Sequence, residues 1–232
     1  MNKRPFITSI HQPSYFPWQG LLHKINSSDL FIVMDEVQLQ DRGFQHRNLF
    51  LNTLGEVHTL TIPIQKKHYR EKMLKDILLC TEPWQKKHAN FIYHNYHKHP
   101  YFEEVYSQIE TLYTKNYTYL FDVLLDTIVF AHNFLDMKTE IRLQSSLNYD
   151  KSAKKEELIY ELLQATDSHH YLSGHGAKFY QKPENFQEKK IQLTYTDYKY
   201  KPYSQYKNAA FKPGLCALDL FFNVGKEAKN YI

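Results

Sequence analysis

Residues 6–38 read FITSIHQPSYFPWQGLLHKINSSDLFIVMDEVQ. Phe6–Ile10 is a short apolar run with strand character. Trp18–Ile25 has the apolar spacing of a short helix, and Ser27, Ser28 and Asp29 end it. Leu30–Met34 is a continuous apolar run, as expected of a strand covered on both faces. Strand, helix and strand within about thirty residues make a βαβ unit, whose crossover is expected to be right-handed. The rest of the fold is read outward from this unit.

After a polar segment, NLFLNTLGEVHTLTIPI reads as a hairpin turning at Asn52–Gly55. Asp76–Cys80 is a candidate strand. Thr81 stands where a helix cap would, ahead of EPWQKKHANFIYHNYHKH. Helical patterns continue over Phe102–Lys115 and Tyr119–Phe134, so residues 81–135 read as a helical insertion lobe within a single domain spanning 1–232. Thr139–Leu143, His170–Leu172 and Ile191–Thr196 read as strands, and Lys154–Thr166 as an amphipathic helix. CALDLFFNVG is a final helix, with Gly225 placed to end it. The expected class is α/β: a mostly parallel, Rossmann-like sheet carrying a helical insertion.

Composition bounds the function. The chain has 232 residues, 42% hydrophobic, with 19 Tyr and 15 Phe against 7 Gly. Tyrosine, apolar in body and polar at the tip, suits half-polar clefts as well as cores. A formal charge of +4 from 29 basic and 25 acidic residues does not argue for nucleic acid. The densest basic stretch, QKKHYREKMLK (Gln65–Lys75), reads as a solvated loop. Cys80 and Cys216 form no metal or disulfide pattern, which fits a reducing cytoplasm. No secretory signal and no run of the ~18 apolar residues needed for a membrane span is visible. Thirteen histidines, with His94, His97 and His99 close together, come without HExxH or an acidic partner, so no metal site is expected. GxSxG is also absent.

In an open parallel sheet, ligands bind beyond the carboxyl ends of the strands. His11 ends the first strand; Asp35, Glu36 and Gln38 come after the second; YLSGHGAKFY (Tyr171–Tyr180) comes after a later one. If these strands are neighbours, three remote segments converge on one crevice. His11 is then a phosphate-binding or proton-transferring imidazole; alternatively its ring bonds a backbone carbonyl and pins the turn. Asp35 either orients a ligand or caps the turn after it. In SGHGAKFY, Ser173, Gly174, His175 and Gly176 would let a backbone cradle approach an anion, with Lys178 adding charge. The spacing is neither GxxxxGK[ST] nor GxGxxG. Arg42 and Arg47, in the loop after the second strand, suit a phosphate or carboxylate, or are exposed loop charges.

The blocks HQPSYFPWQG, FIVMDEVQ, QHRN, TIPI, EPWQKKH, NYHKHPYF, YLSGHGAKFY and YSQYKNAAFKPGLCALDLFFNVG stand in one order along the chain. In these the chain resembles the WbqC-like family over nearly its whole length. The resemblance adds Gln12, Tyr15, Trp18, Asn48, Gln205 and Asp219 to Gln38, Arg47 and the 173–178 residues as substrate-binding candidates, with His11 and Asp35 as catalytic ones. Two positions depart from the family: Cys216 stands where serine is usual, and Glu157 where arginine is usual. Members are often associated with bacterial surface-polysaccharide (O-antigen) gene clusters. The resemblance gives a setting and not a reaction; that setting, together with a cleft of His, Asp, Arg and a Gly-rich loop, leads to the expectation of a cytoplasmic enzyme, an acyl or aminoacyl transferase acting on a nucleotide-linked amino sugar. The expected partner is a small molecule, and the candidate ligand is a nucleotide or nucleotide-sugar.

The opening stretch is also similar to HxGH-type nucleotidyltransferases and pantothenate synthetase. His11 matches their first histidine, but Pro13 replaces the glycine and Ser14 the second histidine. That likeness implies a nucleotidyltransferase or adenylating ligase; a third alternative is a non-catalytic binder of sugar intermediates.

Overall fold

The computed structural model describes residues 4–40, 43–205, 207 and 210–232. In chain order the elements are β1 (Ile7–His11), α1 (Gln19–Asn26), β2 (Leu30–Val33), β3 (Arg47–Leu51), β4 (Val57–Thr61), α2 (Trp84–Tyr96), α3 (Phe102–Thr114) and α4 (Leu120–Phe134). Then come β5 (Glu140–Leu143), α5 (Glu156–Gln164), β6 (His170–Ser173), α6 (Pro183–Glu188), β7 (Gln192–Tyr195) and α7 (Ala217–Val224). The class is mixed α/β, with one five-stranded, wholly parallel sheet and a separate two-stranded hairpin. Among the described residues no helix is long and apolar enough to cross a membrane. The chain divides into two compact units, and each is treated by itself.

The first unit takes residues 4–12, His23–Glu36 and Lys138–Lys199. Its sheet runs β5-β2-β1-β6-β7. From β1 the chain proceeds outward to β2 and β5, then returns to the other side of β1 for β6 and β7. The order therefore reverses between β1 and β6, which is the place where such sheets bind ligands. All four residues of β2 are buried, as its unbroken apolar run requires. Three polar contacts hold the entry to β2: Asp29 takes the Arg4 guanidinium at 2.5 Å and the Ile7 N–H at 2.9 Å, and Ser9 Oγ meets Ser28 Oγ at 2.6 Å.

The second unit takes Pro13–Leu22, Val37–Met137 and Tyr200–Ile232. β3 and β4 pair antiparallel from Arg47–Thr61 to Leu51–Val57. Asn52 shapes their turn, its Oδ1 accepting the N–H groups of Leu54 and Glu56. α2, α3, α4 and α7 pack through aromatic rings: Phe222 lies 4.9 Å from Tyr96 and 5.6 Å from Phe102, and Phe221 lies 4.6 Å from Phe134. Gly225 ends α7 at φ 58°, and a Cβ there would come within 2.5 Å of the Tyr101 ring, so only glycine fits.

Two local expectations are corrected. Asp76–Cys80 is not a strand: a 3-10 turn covers Leu74–Asp76, and the residues after it make only isolated bridges, Ile64 with Leu79 and Leu78 with Tyr119. Its bonds go to different segments, Leu79 N–H to Thr118 and Cys80 N–H to Pro63, so no ladder forms. Thr81 does not cap α2. Pro83 holds the cap position and the helix starts at Trp84, where proline's fixed φ suits a first turn. Arg42 lies outside the described residues.

Candidate functional site

Since β2, β1 and β6 are consecutive and parallel, their carboxyl ends share one rim. His11 closes β1, Asp35 stands two residues beyond β2, and Ser173–Gly174 end β6. The three segments read from the sequence as converging do stand side by side in the first unit.

The rim is not closed along its length. β1 and β2 stay paired through His11–Val33, and Met34 N–H extends this to the His11 carbonyl at 2.9 Å. β6 and β7 stay paired through Ser173–Tyr195, and Thr196 N–H bonds the Ser173 carbonyl at 2.9 Å. Between them the β1–β6 ladder stops early, at Ser9–Leu172. Backbone groups alternate sides along a strand. With the Ile7 and His11 carbonyls bonded on the β2 side, that of Ile10 points toward β6, where Gly174 N–H would be its partner. That bond is not formed among the described residues. The Ile10 carbonyl instead accepts Lys24 Nζ at 2.7 Å. The ladder thus parts where the strand order reverses.

His11 is partly buried beside this parting. Its Nδ1 lies 2.8 Å from the Gln12 carbonyl. A carbonyl only accepts, so Nδ1 carries the proton and Nε2 the lone pair. The ring therefore does pin a carbonyl, as one reading of the sequence had it, and in doing so fixes the tautomer. Its pKa is pushed down to about 4, first by burial and then by the Lys24 charge, against the Gln12 bond that raises it. At neutral pH His11 is uncharged.

Lys24 escaped the sequence reading. It is 3% exposed, in the last turn of α1. Burial alone lowers its pKa to about 7. Its Nζ lies 6.0 Å from the Tyr171 ring centroid, and among the described residues no carboxylate pairs with it. The signal was present: Leu21, Lys24, Ile25 and Ser28 fall on one helical stripe, so the lysine interrupts an apolar face.

The other candidates of this unit divide by what already holds them. Asp35 is 1% exposed, and its Oδ1 accepts the Ser145 N–H at 2.9 Å, binding the end of β2 to the turn after β5. Nearby, Glu36 takes Tyr149 OH at 2.7 Å and Lys151 Nζ at 2.5 Å, and Gln144 Nε2 bonds Tyr149 OH at 2.7 Å. Gln144 Oε1 is buried without a partner among the described residues. Ser173 Oγ is spent on Gln181 at 2.8 Å, and His175 N–H on Thr196 Oγ1 at 3.2 Å. The N–H groups of Gly174 and Gly176 have no such bond among the described residues. A 3-10 turn begins at His175, and neither glycine has a positive φ or any atom within 4 Å of a built Cβ. Nothing in the fold itself demands glycine there, and open space lies beside both. Lys178 is exposed on the same turn, ahead of Phe179 and Tyr180, 88% and 75% exposed.

Tyr15, Trp18, Gln38, Arg47, Asn48, Gln205 and Asp219 belong to the second unit. Asn48 Nδ2 donates to the Tyr15 and Phe16 carbonyls at 2.8 Å each, holding Phe16 at φ 45°. Tyr15 OH meets Tyr113 OH at 2.7 Å and His88 Nδ1 at 3.0 Å. Asp219, wholly buried, accepts Tyr203 OH at 2.6 Å, Gln205 Nε2 at 3.1 Å and Tyr96 OH at 3.2 Å. Gln38 Nε2 bonds the Arg70 carbonyl, and Arg47 Nε the Gly43 carbonyl, both at 3.0 Å. Trp18 bridges Cys216 through the backbone. Glu157, at the other family departure, pairs with Lys189 at 3.4 Å. Among the described residues no three His, Cys, Asp or Glu side chains gather as a metal set.

The WbqC-like protein family matches residues 12–231, nearly the whole chain. The chain belongs to this family. It is also 31% identical over 229 residues to an uncharacterized protein of Mycobacterium tuberculosis (strain ATCC 25618 / H37Rv), Rv1507c, covering 97% of this chain and 96% of that one. No solved structure matches it. In this WbqC-like chain the family blocks thus serve two ends: some build the rim of the parallel sheet, others bond the second unit internally.

Proposed function

We propose that the chain is an acyl or aminoacyl transferase acting on a nucleotide-linked amino sugar, in bacterial surface-polysaccharide biosynthesis. The parting of β1 and β6 at the reversal of strand order carries this reading, because a neutral imidazole with its lone pair on Nε2 stands beside it. The amine nitrogen of the sugar attacks the acyl carbonyl carbon and a C–N bond forms. The bond from that carbon to the leaving group breaks, and its electron pair departs with the leaving group. His11 Nε2 takes the proton lost by the amine and passes it to the leaving group. An anion bound near Lys24 would offset the charge that depresses the imidazole and make it a stronger base. Asp35 is a positioning residue here, fixing the rim through Ser145.

The runner-up is a nucleotidyltransferase or adenylating ligase on an HxGH-like, Rossmann-like framework. The parallel sheet with a histidine at its first strand–helix turn favours it. Against it, Pro13 and Ser14 replace the glycine and second histidine, and a lone pair at Nε2 cannot donate to a phosphate oxygen.

The test is incubation with nucleotide-linked amino sugars and activated acyl donors, read by mass spectrometry. An N-acylated product is expected, with His11→Ala slowing it by roughly 10²–10⁴-fold and leaving substrate affinity nearly unchanged. Pyrophosphate release from a nucleoside triphosphate would move the assignment to the runner-up. Ligand binding with no turnover in any combination would leave a binding protein.

A further inference from the structure

A buried lysine needs a reason, since an ammonium out of water is costly unless paired. Lys24 has one bond to a neutral carbonyl, the Ile10 oxygen that β6 leaves unbonded. Within the same unit, Asp29 is engaged by Arg4 and the Ile7 N–H, and Asp35 by the Ser145 N–H. Among the described residues, the titratable groups beside Lys24 are His11 on β1 and Tyr171 on β6, and neither neutralises it. Across the parting, Gly174 N–H is directed toward β1, and Gly176 N–H lies in the first turn of the 3-10 segment. Open space borders both glycines.

We infer that the parting of β1 and β6 is a subsite for a phosphate or diphosphate group, anchored by the Lys24 ammonium together with the N–H groups of Gly174 and Gly176. A tetrahedral oxyanion supplies the missing counter-charge and accepts from the Gly174 N–H that the shortened ladder leaves unbonded and from the Gly176 N–H of the 3-10 turn. Lys24 is a binding residue here, distinct from His11, which handles the proton. The inference rests on the parting being the working site, and not on which reaction runs there.

Calorimetric titration of the full chain with inorganic pyrophosphate, phosphate and acetate tests it. Wild type is expected to bind pyrophosphate and phosphate, and acetate far more weakly. Lys24→Met should weaken pyrophosphate at least tenfold. Gly174→Ala places a methyl group in the open space, at an extended backbone that alanine accepts, and should also weaken binding while the melting temperature holds. Should Lys24→Met not fold, Gly174→Ala decides. Sulfate, which does not titrate near neutrality, supplies a second readout. Its affinity for wild type should fall about tenfold per pH unit above 7 as Lys24 loses its proton, and that slope should vanish in Lys24→Met. No binding of either phosphate species by wild type, equal binding by folded variants, or acetate matching phosphate would overturn the subsite. If pyrophosphate binds as expected but no acyl product ever forms, the transferase reading fails and the subsite stands.

Discussion

The two units each bury a charged group, and they treat it in opposite ways. In the second unit Asp219 is enclosed by three donors, Tyr96, Tyr203 and Gln205, and its carboxylate is an organising centre for the tail. In the first unit Lys24 has one carbonyl. A buried charge surrounded by its own fold is spent on stability. One that is half served marks a place where stability has been given up, as at binding sites. The same division separates the histidines. His88 is tied into Tyr15 and packs against Trp84 at 5.2 Å, while His11 stands at the rim of the sheet.

The largest effect expected of this contrast is Asp219→Ala. It strands two tyrosine hydroxyls and an amide, and should cost about 3 kcal/mol in denaturant unfolding. Asp219→Asn, which keeps an acceptor, should lose less. Burial raises the Asp219 pKa to about 6, so protonation adds stability to that of the hydrogen bonds; this extra share is complete below the ordinary aspartate range and is lost as pH rises through 6. A folded Asp219→Ala protein of unchanged stability that had lost pyrophosphate binding would reverse the assignment of the two charges.

Acid titration probes the histidines. His11, His88 and His99 all have pKa values lowered to about 4, mainly by burial. The unfolded chain binds their protons near pH 6.5 and the native chain does not. The stability they contribute is therefore complete above 6.5 and is lost as pH falls toward 4, by up to about 1.4 kcal/mol per pH unit for each group. His88→Gln and His11→Gln should each remove one proton's share of that slope. Only His11→Gln should also abolish transfer; equal loss of transfer in both would erase the distinction.

Lys24→Met should raise stability at pH 7 by about 1 kcal/mol, because a thioether of similar length replaces a desolvated charge, less the bond to Ile10. A fall of several kcal/mol would show the ammonium to be structural, like Asp219. The smallest effect is at Cys216, the N-cap of α7, which makes no side-chain cap bond. Cys216→Ser should add roughly 0.5–1 kcal/mol, read as a rise in melting temperature, with no change at the parting of β1 and β6.

Much of the fold was legible from short-range pattern. The unbroken apolar run of β2, the period of α3 and α4, the Asn52–Gly55 turn and the glycine ending α7 each arise from residues within one element. Asp76–Cys80 was misread because a short continuous apolar run, Ile77–Cys80, resembles a strand whether or not one ladder partner awaits it. Of the candidate site, the rim residues His11, Asp35 and Ser173–Gly176 were legible as ends of strands. What happens at that rim was not, since the Ile10 carbonyl lacks a ladder partner, and takes Lys24 instead, only because β6, some 160 residues on, departs one pair too soon. Tyr15, Asn48, Gln205 and Asp219 were legible as motif residues, but only their partners showed them bonded to one another and to backbone.

The sequence by itself determined most of the elements, the α/β class and the family, because periodicity and turn chemistry act over a few residues. The tertiary structure decided which polar residues the fold itself consumes and which it leaves partly served. Burial and hydrogen-bond satisfaction depend on groups brought together from distant parts of the chain, and no local pattern records them.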